Sequence, residues 1–305
     1  MRKTWLITGA SQGLGAEIAK VALWNGDRVV ATGRQRSAVI DNLGRDHDRL
    51  LSVALDVTDA GQCRTAVDAA VSRFGAIDVL VNNAGYGHLG FFEETTDADV
   101  QAQFATNLFG VFNVTRAALP VMRAARRGRI FNISSLAGML GAELASLYCA
   151  SKFALEGFSE SLAKEVAPFG IGVILVEPGP FRTDFLSGNS LRFGDETLAD
   201  YDGRRAQLRG AFEQRNGRQP GDPARLADAI AHLANAPNPP LRFIAGAIAV
   251  DAAEAKLAGM RAELDQWRAL SIGTDGNRGS GPCRSIHTPR SAAPACASAR
   301  SVSAP

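Results

Sequence analysis

Thr4-Trp5-Leu6-Ile7-Thr8-Gly9-Ala10-Ser11-Gln12-Gly13-Leu14-Gly15 is the stretch on which the fold turns. Trp5 to Ile7 reads as a short buried strand, and Ala16 to Trp24 carries a helical pattern. Between them, glycines at 9, 13 and 15 allow a sharp turn and let the backbone approach another group closely. A glycine-rich turn that joins a first strand to a first helix points its N–H groups, and the positive helix end, at an anion such as a pyrophosphate. Glycines alone would mark any tight turn; their place after a strand and before a helix makes the stretch a dinucleotide-binding signal.

Outward from this turn the same rhythm repeats. Strands are expected at Arg28 to Thr32, Leu50 to Leu55, Val79 to Val81, Arg129 to Ile133, Gly172 to Val176 and Leu241 to Ala245. Helices are expected at Ala60 to Phe74, Asp97 to Met122 and Tyr148 to Ala167. Apolar strands alternating with helices predict a parallel sheet covered on both faces. Right-handed crossovers then make it a doubly wound, three-layer αβα sheet of the Rossmann type, in one α/β domain over residues 1–275. From about 181 to 219, apolar residues including Phe185, Leu186, Leu191, Phe193, Leu198 and Phe212 are scattered among polar ones. This segment follows a strand's carboxyl end, where open sheets carry ligand-covering loops, and is expected to be a substrate lid. The segment 276–305, rich in Ser, Ala, Pro, Gly and Arg, is expected to be a disordered tail.

Composition narrows the function classes. The 33 Lys and Arg nearly balance the 31 Asp and Glu, and four of the bases, Arg278, Arg284, Arg290 and Arg300, lie in the tail. Residues 1–275 thus hold 29 bases and 31 acids, a balance that argues against a nucleic-acid partner. No apolar run approaches the ~20 residues that cross a bilayer, and no signal-peptide pattern opens the chain. The four cysteines form no CxxC pair and have no histidines at metal spacing. The expectation is a cytoplasmic protein with no membrane partner and no metal.

The second strand ends Val30-Ala31-Thr32-Gly33-Arg34-Gln35-Arg36. An acid there would bind the ribose hydroxyls of NAD; here there is none, and Arg34 can grip a 2′-phosphate with two parallel hydrogen bonds. The expected cofactor is therefore NADP(H) in preference to NAD(H).

Tyr148-Cys149-Ala150-Ser151-Lys152 places a phenol and an ammonium at i and i+4, on one helix face. A neighbouring ammonium favours phenolate and is expected to lower the phenol's pKa from near 10 toward a working pH. Asn132-Ile133-Ser134-Ser135 ends the fifth strand at the sheet's ligand-binding edge, where a serine hydroxyl can polarise a substrate oxygen. Spacing within this stretch leaves either serine open, the other serving the turn.

Taken in order, Thr8 to Gly15, Asn82-Asn83-Ala84-Gly85, Asn107, Ser135, Tyr148-x-x-x-Lys152 and Pro178-Gly179 resemble the short-chain dehydrogenase/reductase family over residues 3–275. The resemblance implies hydride transfer between a nicotinamide and a carbonyl or alcohol. It implies that Ser135, 13 positions before Tyr148, orients the substrate oxygen. Tyr148 would exchange the proton, Lys152 would tune it and hold the nicotinamide ribose, and Asn107 would position a water in the proton relay. Asn107 could equally tie two backbone segments together. The cofactor would further meet Gly9, Ser11, Gln12, Gly13, Leu14 and Gly15, then Asp56 and Val57 at adenine. Asn83, Ala84 and Gly85 would line it, and Pro178, Gly179 and Thr183 would meet the nicotinamide and its phosphate. Asp56 could also be a plain strand-end cap.

The substrate pocket is expected among His88, Leu89, Phe91, Leu136, Met139, Leu140, Glu143, Phe181 and Phe185, mostly apolar, which suits a hydrophobic carbonyl or alcohol. His88 reads as a rim residue or a satisfied core histidine. Glu177, a charge before Pro178, has no assigned role. Family members pair through the helices at Asp97 to Leu119 and Tyr148 to Ala167, which implies a homodimer or homotetramer. The rival reading is a regulatory protein that senses NADP(H) without catalysis; such relatives usually lose the tyrosine or lysine, and this chain keeps both.

Overall fold

Alternate residues of the first strand go to opposite faces of one sheet: Trp5 and Ile7 to one, Leu6 to the other. That period of two, with both faces buried, requires helices on each side. The computed structural model of the chain describes residues 2–183, 190–194 and 197–275. Its main sheet has seven parallel strands: β1 (Thr4–Ile7), β2 (Arg28–Gly33), β3 (Leu50–Ala54), β4 (Val79–Asn82), β6 (Gly128–Ile133), β7 (Ile171–Pro178) and β9 (Arg242–Ala245). They lie in the order β3-β2-β1-β4-β6-β7-β9. Two short strands, β5 (Gly87–Leu89) and β8 (Leu191–Phe193), pair with each other outside it.

On the first face, α1 (Gly13–Trp24) and α8 (Pro223–Asn235) cover Trp5, Ile7, Val29, Val79, Phe131 and Ile174. On the second, α3 (Ala60–Phe74), α5 (Gly110–Ala125) and α6 (Ser146–Val166) cover Leu6, Val30, Leu80, Ile130 and Val173. The remaining helices are α2 (Arg36–Leu43), α4 (Asp97–Phe104), α7 (Asp202–Arg215) and α9 (Ala247–Ile272). This is the expected doubly wound three-layer sheet, with all seven strands in one unit, Met1–Gly259. A second unit, Met260–Pro305, contains within its described residues the end of α9. The tail 276–305 lies outside the described residues, as do Phe185 and Leu186 of the expected lid. Among the described residues no helix is long and apolar enough to cross a membrane.

Strand order reverses between β1 and β4, the neighbours at the sheet's centre, with β2 and β3 running one way and β6, β7 and β9 the other. The loops after β1 and β4 diverge there and leave a crevice at their carboxyl ends, where ligands of open α/β sheets sit. Four helices were not expected from sequence: α2, α7, α8 and α9. The long expected helix over Asp97 to Met122 is interrupted at Ala105–Phe109 by a π-helical turn before α5 continues to Ala125.

Candidate active site

The glycine-rich turn is built as its sequence demands. Gly9 and Gly13 have φ of +64° and +56°, the left-handed region that glycine enters without a Cβ penalty. Gly15 serves close approach instead: a Cβ there would stand 2.4 Å from the Gly9 carbonyl oxygen and 2.5 Å from Asn83 Nδ2. Asn83 is the clamp. Its Nδ2 donates to the carbonyls of Thr8 and Gly9, both at 3.0 Å, while the Thr8 hydroxyl accepts from the backbone N–H of Asn83 (2.9 Å) and Ala84 (3.0 Å). The Asn83-Ala84-Gly85 segment therefore fixes the turn across the crevice. Gln12 donates to the Ser190 hydroxyl at 3.2 Å, and Thr183 lies against Gly13, whose added Cβ would stand 3.8 Å from the threonine's own. A cavity of about 410 Å³ opens beside the turn, lined by Gly13, Asn42, Arg182 and Thr183 among others.

At the end of β2, Gly33 faces Ser11 so closely that an added Cβ would stand 3.4 Å from the serine hydroxyl. Arg34 is exposed and makes no ion pair among the described residues. Arg36 differs: it donates to Asp46 at 2.6 Å and to the Ser52 carbonyl at 2.8 Å, so its guanidinium is already engaged. The carboxylate of Asp56 accepts from the backbone N–H and hydroxyl of Thr58 (2.9 and 2.7 Å), a local turn, and the cap of α3 is Asp59. Val57 is buried against α5, where Asn113 donates to its carbonyl at 3.0 Å. These glycine-lined approaches and the unpaired Arg34 form a cradle that fits a dinucleotide; the nicotinamide end would meet Pro178, Gly179 and Lys152.

The catalytic candidates meet at the carboxyl edge of β6. Tyr148 lies in the first turn of α6, and its hydroxyl is hydrogen-bonded to Ser135. Ser135, and not Ser134, is therefore the serine beside the phenol. Its hydroxyl also accepts from the Ala137 N–H at 3.1 Å. Ser134 turns away to donate to Glu156. One turn along α6, Lys152 Nζ donates to the Ile133 carbonyl at 2.7 Å and stands 5.8 Å from the centroid of the Tyr148 ring.

Burial governs both titrating groups. It pushes Tyr148 up to about 12, against the pull of its Ser135 hydrogen bond, and brings Lys152 down to about 8, against the attraction of Glu156. The sequence expectation of a depressed tyrosine is thus reversed in this structure, because loss of solvent outweighs any stabilisation of phenolate. The phenol is held protonated, the form a proton donor needs.

Asn107 sits in the π-helical turn, 1% exposed. Its amide binds both backbone groups of one residue, accepting from the Tyr86 N–H (3.1 Å) and donating to the Tyr86 carbonyl (2.9 Å), and it donates to Ser151 at 3.3 Å. A Cβ on Gly85 would stand 3.2 Å from Asn107 Oδ1, so the cofactor-side loop and this amide are in close packing. The tie between backbone segments is present in full.

Around Tyr148 the walls are apolar. Leu89, Phe91, Leu144, Ala145 and Cys149 cluster with Leu191, Phe193, Leu208 and Phe212. Leu89 and Phe91 were expected here; Leu144 and Leu208 were not, since the first lies in a glycine-containing loop and the second in a polar helix. Phe181 packs instead against the first-face core, and Phe185 lies outside the described residues. His88 is buried, with Nδ1 3.8 Å from Asp99, in keeping with a core position. Glu143 receives Arg204 of α7 at 2.8 Å, and buried Glu94 receives Arg205 of the same helix, so two ion pairs hold α7 over this cluster. No group of three or more His, Cys, Asp or Glu residues arranged to hold a metal occurs among the described residues.

Known proteins of similar sequence share this fold. A family model described as short chain dehydrogenase matches residues 3–191. An oxidoreductase of Botryotinia fuckeliana, BOA17, is 39% identical over 89% of this chain and 99% of its own length. A 3-ketodihydrosphingosine reductase of Bacteroides thetaiotaomicron is 42% identical over 79% of this chain and 87% of its own. Among solved structures, a short-chain dehydrogenase from Streptomyces avermitilis superposes with a TM-score of 0.80 at 42% identity, covering 90% of this chain and all of that one. A 3-ketoacyl-(acyl-carrier-protein) reductase of Brucella melitensis, solved with NADH, gives a TM-score of 0.64 at 29% identity, covering 77% of this chain and 91% of its own. ElxO, solved with NADP, gives 0.64 at 30% identity, covering 78% and 93%.

Proposed function

This chain belongs to the short-chain dehydrogenase/reductase family of oxidoreductases, and from that premise we propose that it reduces a hydrophobic ketone or aldehyde with NADPH. The observation that carries the reading is the contact set at the edge of β6: Tyr148 on Ser135, with Lys152 one turn away and an apolar wall against the tyrosine.

When bound, the nicotinamide supplies the hydride, and the protein supplies position and proton. Ser135 and Tyr148 both present hydroxyls to one point, where a substrate oxygen gains negative charge as the carbonyl is reduced. Tyr148, held protonated, gives its proton to that oxygen. Lys152 keeps a positive charge beside the phenol, which favours the phenolate left behind. Asn107, locked by Tyr86 and Ser151, would position a relay water for the proton. In the oxidative direction the same groups act in reverse.

The preference for NADPH rests on Arg34: exposed and unpaired, on a strand end with no acid, it is free to grip a 2′-phosphate. The two flanking ion pairs, Arg204–Glu143 and Arg205–Glu94, support α7 and its surroundings as a lid over the apolar cluster. That cluster favours an aliphatic or ring-bearing carbonyl over a sugar or hydroxy acid, and the long-chain ketone named for the Bacteroides relative is of this class. Phe109, which packs on Phe112 and through it on Phe158, and Phe153 are both half exposed and support pairing of two copies through α5 and α6. Light scattering is expected to return a multiple of the 32.2 kDa chain mass.

A panel of hydrophobic aldehydes and ketones, followed by loss of reduced-nicotinamide absorbance with NADPH and with NADH, tests the reading. Faster turnover with NADPH is expected; binding of the dinucleotide with no oxidation by any carbonyl would favour the sensor instead. In the same assay Arg34→Asp should weaken NADPH by roughly tenfold to a hundredfold, the loss of a charge-assisted pair and its replacement by repulsion. NADH should be little affected. Equal losses on both would remove the case for the 2′-phosphate.

A further inference from the structure

Directly behind the catalytic residues lies a cluster of charges that the proton transfer above does not use. Glu156 is four residues after Lys152, on the same face of α6. It is 5% exposed, and it accepts from the Ser134 hydroxyl and from Arg242 of β9. Arg242 also donates to Glu177 of β7 at 2.8 Å and to Glu160 at 2.6 Å. Glu177 is fully buried, and its Oε2 has no hydrogen-bond partner among the described residues. A cation and two nearly buried carboxylates so arranged cost considerable desolvation, and a better-packed apolar set would give equal stability.

We propose that Glu156 is a positioning residue for the reaction: pinned by Arg242 between β7 and β9, its carboxylate fixes the Ser134–Gly138 loop that carries Ser135 and sustains the positive charge of Lys152. The inference rests on the roles given above to Ser135 and Lys152. The loop half is steric as well as polar, since a Cβ on Gly138 would stand 2.7 Å from both Glu156 Oε1 and Ser134 Oγ, so loop and carboxylate are in tight register. Lys152 is joined to the same loop through the Ile133 carbonyl, one residue before Ser134.

The charge half follows from what faces each group. Lys152 faces Glu156 on its own helix, the Tyr148 ring, and the Ile133 carbonyl of β6. Glu156 faces Ser134 just after β6, Glu177 of β7, Arg242 of β9 and Lys152. Burial and the nearby Glu177 raise Glu156 to about 7, against the pull of Ser134 and Arg242. Above that value Glu156 is ionised, and its attraction opposes the burial that drives Lys152 down. Removing the carboxylate charge should therefore drop the lysine further.

The sequence has five lysines, at positions 3, 20, 152, 164 and 256, so 13C-lysine NMR of the full chain resolves each titration without any substrate. The Lys152 signal is the one missing from Lys152→Met. In Glu156→Gln, which keeps the shape and an acceptor for Ser134, the Lys152 midpoint should fall by on the order of half a pH unit or more, with the other four unmoved. Coincident midpoints in the two proteins would overturn the charge half. Ser134→Ala frees the loop and leaves the carboxylate in place. It should lower kcat by roughly tenfold to a hundredfold, as misplaced catalytic groups do. An unchanged kcat would overturn the loop half. Because the titration needs no turnover, failure of the proposed reductase activity and failure of the charge half read out separately.

Discussion

Tyr148→Phe is expected to lower kcat for carbonyl reduction by about 10²–10⁴-fold, the usual contribution of a positioned proton donor, while dinucleotide binding is retained. The substitution deletes one oxygen. That oxygen is hydrogen-bonded to Ser135, and the ring that carries it stands 5.8 Å from Lys152 Nζ. Losses at the middle of that range correspond to about 4 kcal/mol of transition-state stabilisation. Stopped-flow or steady-state rates, paired with a binding titration of NADPH, separate chemistry from binding. The pH dependence carries a second signature. Tyr148 is held up to about 12 and remains protonated through the neutral range, so it does not limit the rate there. Lys152, down to about 8, is charged below that pH and loses its proton above it. Reduction should therefore decline as pH rises through about 8, and Tyr148→Phe should be inactive on both sides of that limb. A variant retaining a tenth or more of the wild-type rate would remove Tyr148 from the proton transfer.

Gly15→Ala is expected to be the most damaging single-atom addition to the cofactor end. The new Cβ would meet the Gly9 carbonyl oxygen at 2.4 Å and Asn83 Nδ2 at 2.5 Å, one of them backbone and the other the clamp that holds Thr8 and Gly9. Neither can retreat without opening the turn. Overpacking of this kind costs about 1–3 kcal/mol, a fall of roughly 2–10 °C in Tm for a chain of this size. Dinucleotide affinity should weaken by more than roughly tenfold, because the same displacement moves the N–H groups that face the pyrophosphate. Differential scanning calorimetry and a binding titration measure the two effects. Wild-type affinity in Gly15→Ala would show that the turn tolerates the displaced clamp and that Asn83 is not what shapes it.

The strands were legible because each is apolar on both faces and flanked by glycine or a polar turn, so Trp5–Ile7, Val79–Val81 and Gly172–Val176 are found where periodicity puts them. Helices α2 and α8 were missed for opposite reasons. The first is short and largely polar. The second begins at Pro223 behind an Asp222 cap, a start signal hidden after a glycine- and proline-containing segment. The π-helical turn has no sequence signature of its own, since its residues keep an ordinary helical pattern. Among site residues, Tyr148, Lys152 and Ser135 come together because their spacing is written in one helix and one strand end. The charge cluster was not legible: Glu156, Glu177 and Arg242 lie on three elements far apart in sequence, and nothing local marks them as neighbours. Nor could spacing give the direction of the tyrosine shift, which depends on how much solvent the finished fold removes.

That π-helical turn has a bearing on how this molecule tolerates change. It seats five residues, Ala105–Phe109, where an ordinary helix would use fewer, so one residue bulges without lengthening the rod. Removing the bulged residue would restore a regular spiral with the turns on either side still in register, so α5 would keep its seat on the sheet. The change would fall on Asn107, whose amide would be turned off Tyr86 and Ser151. The extra residue thus aims one amide and leaves the rod around it unaltered.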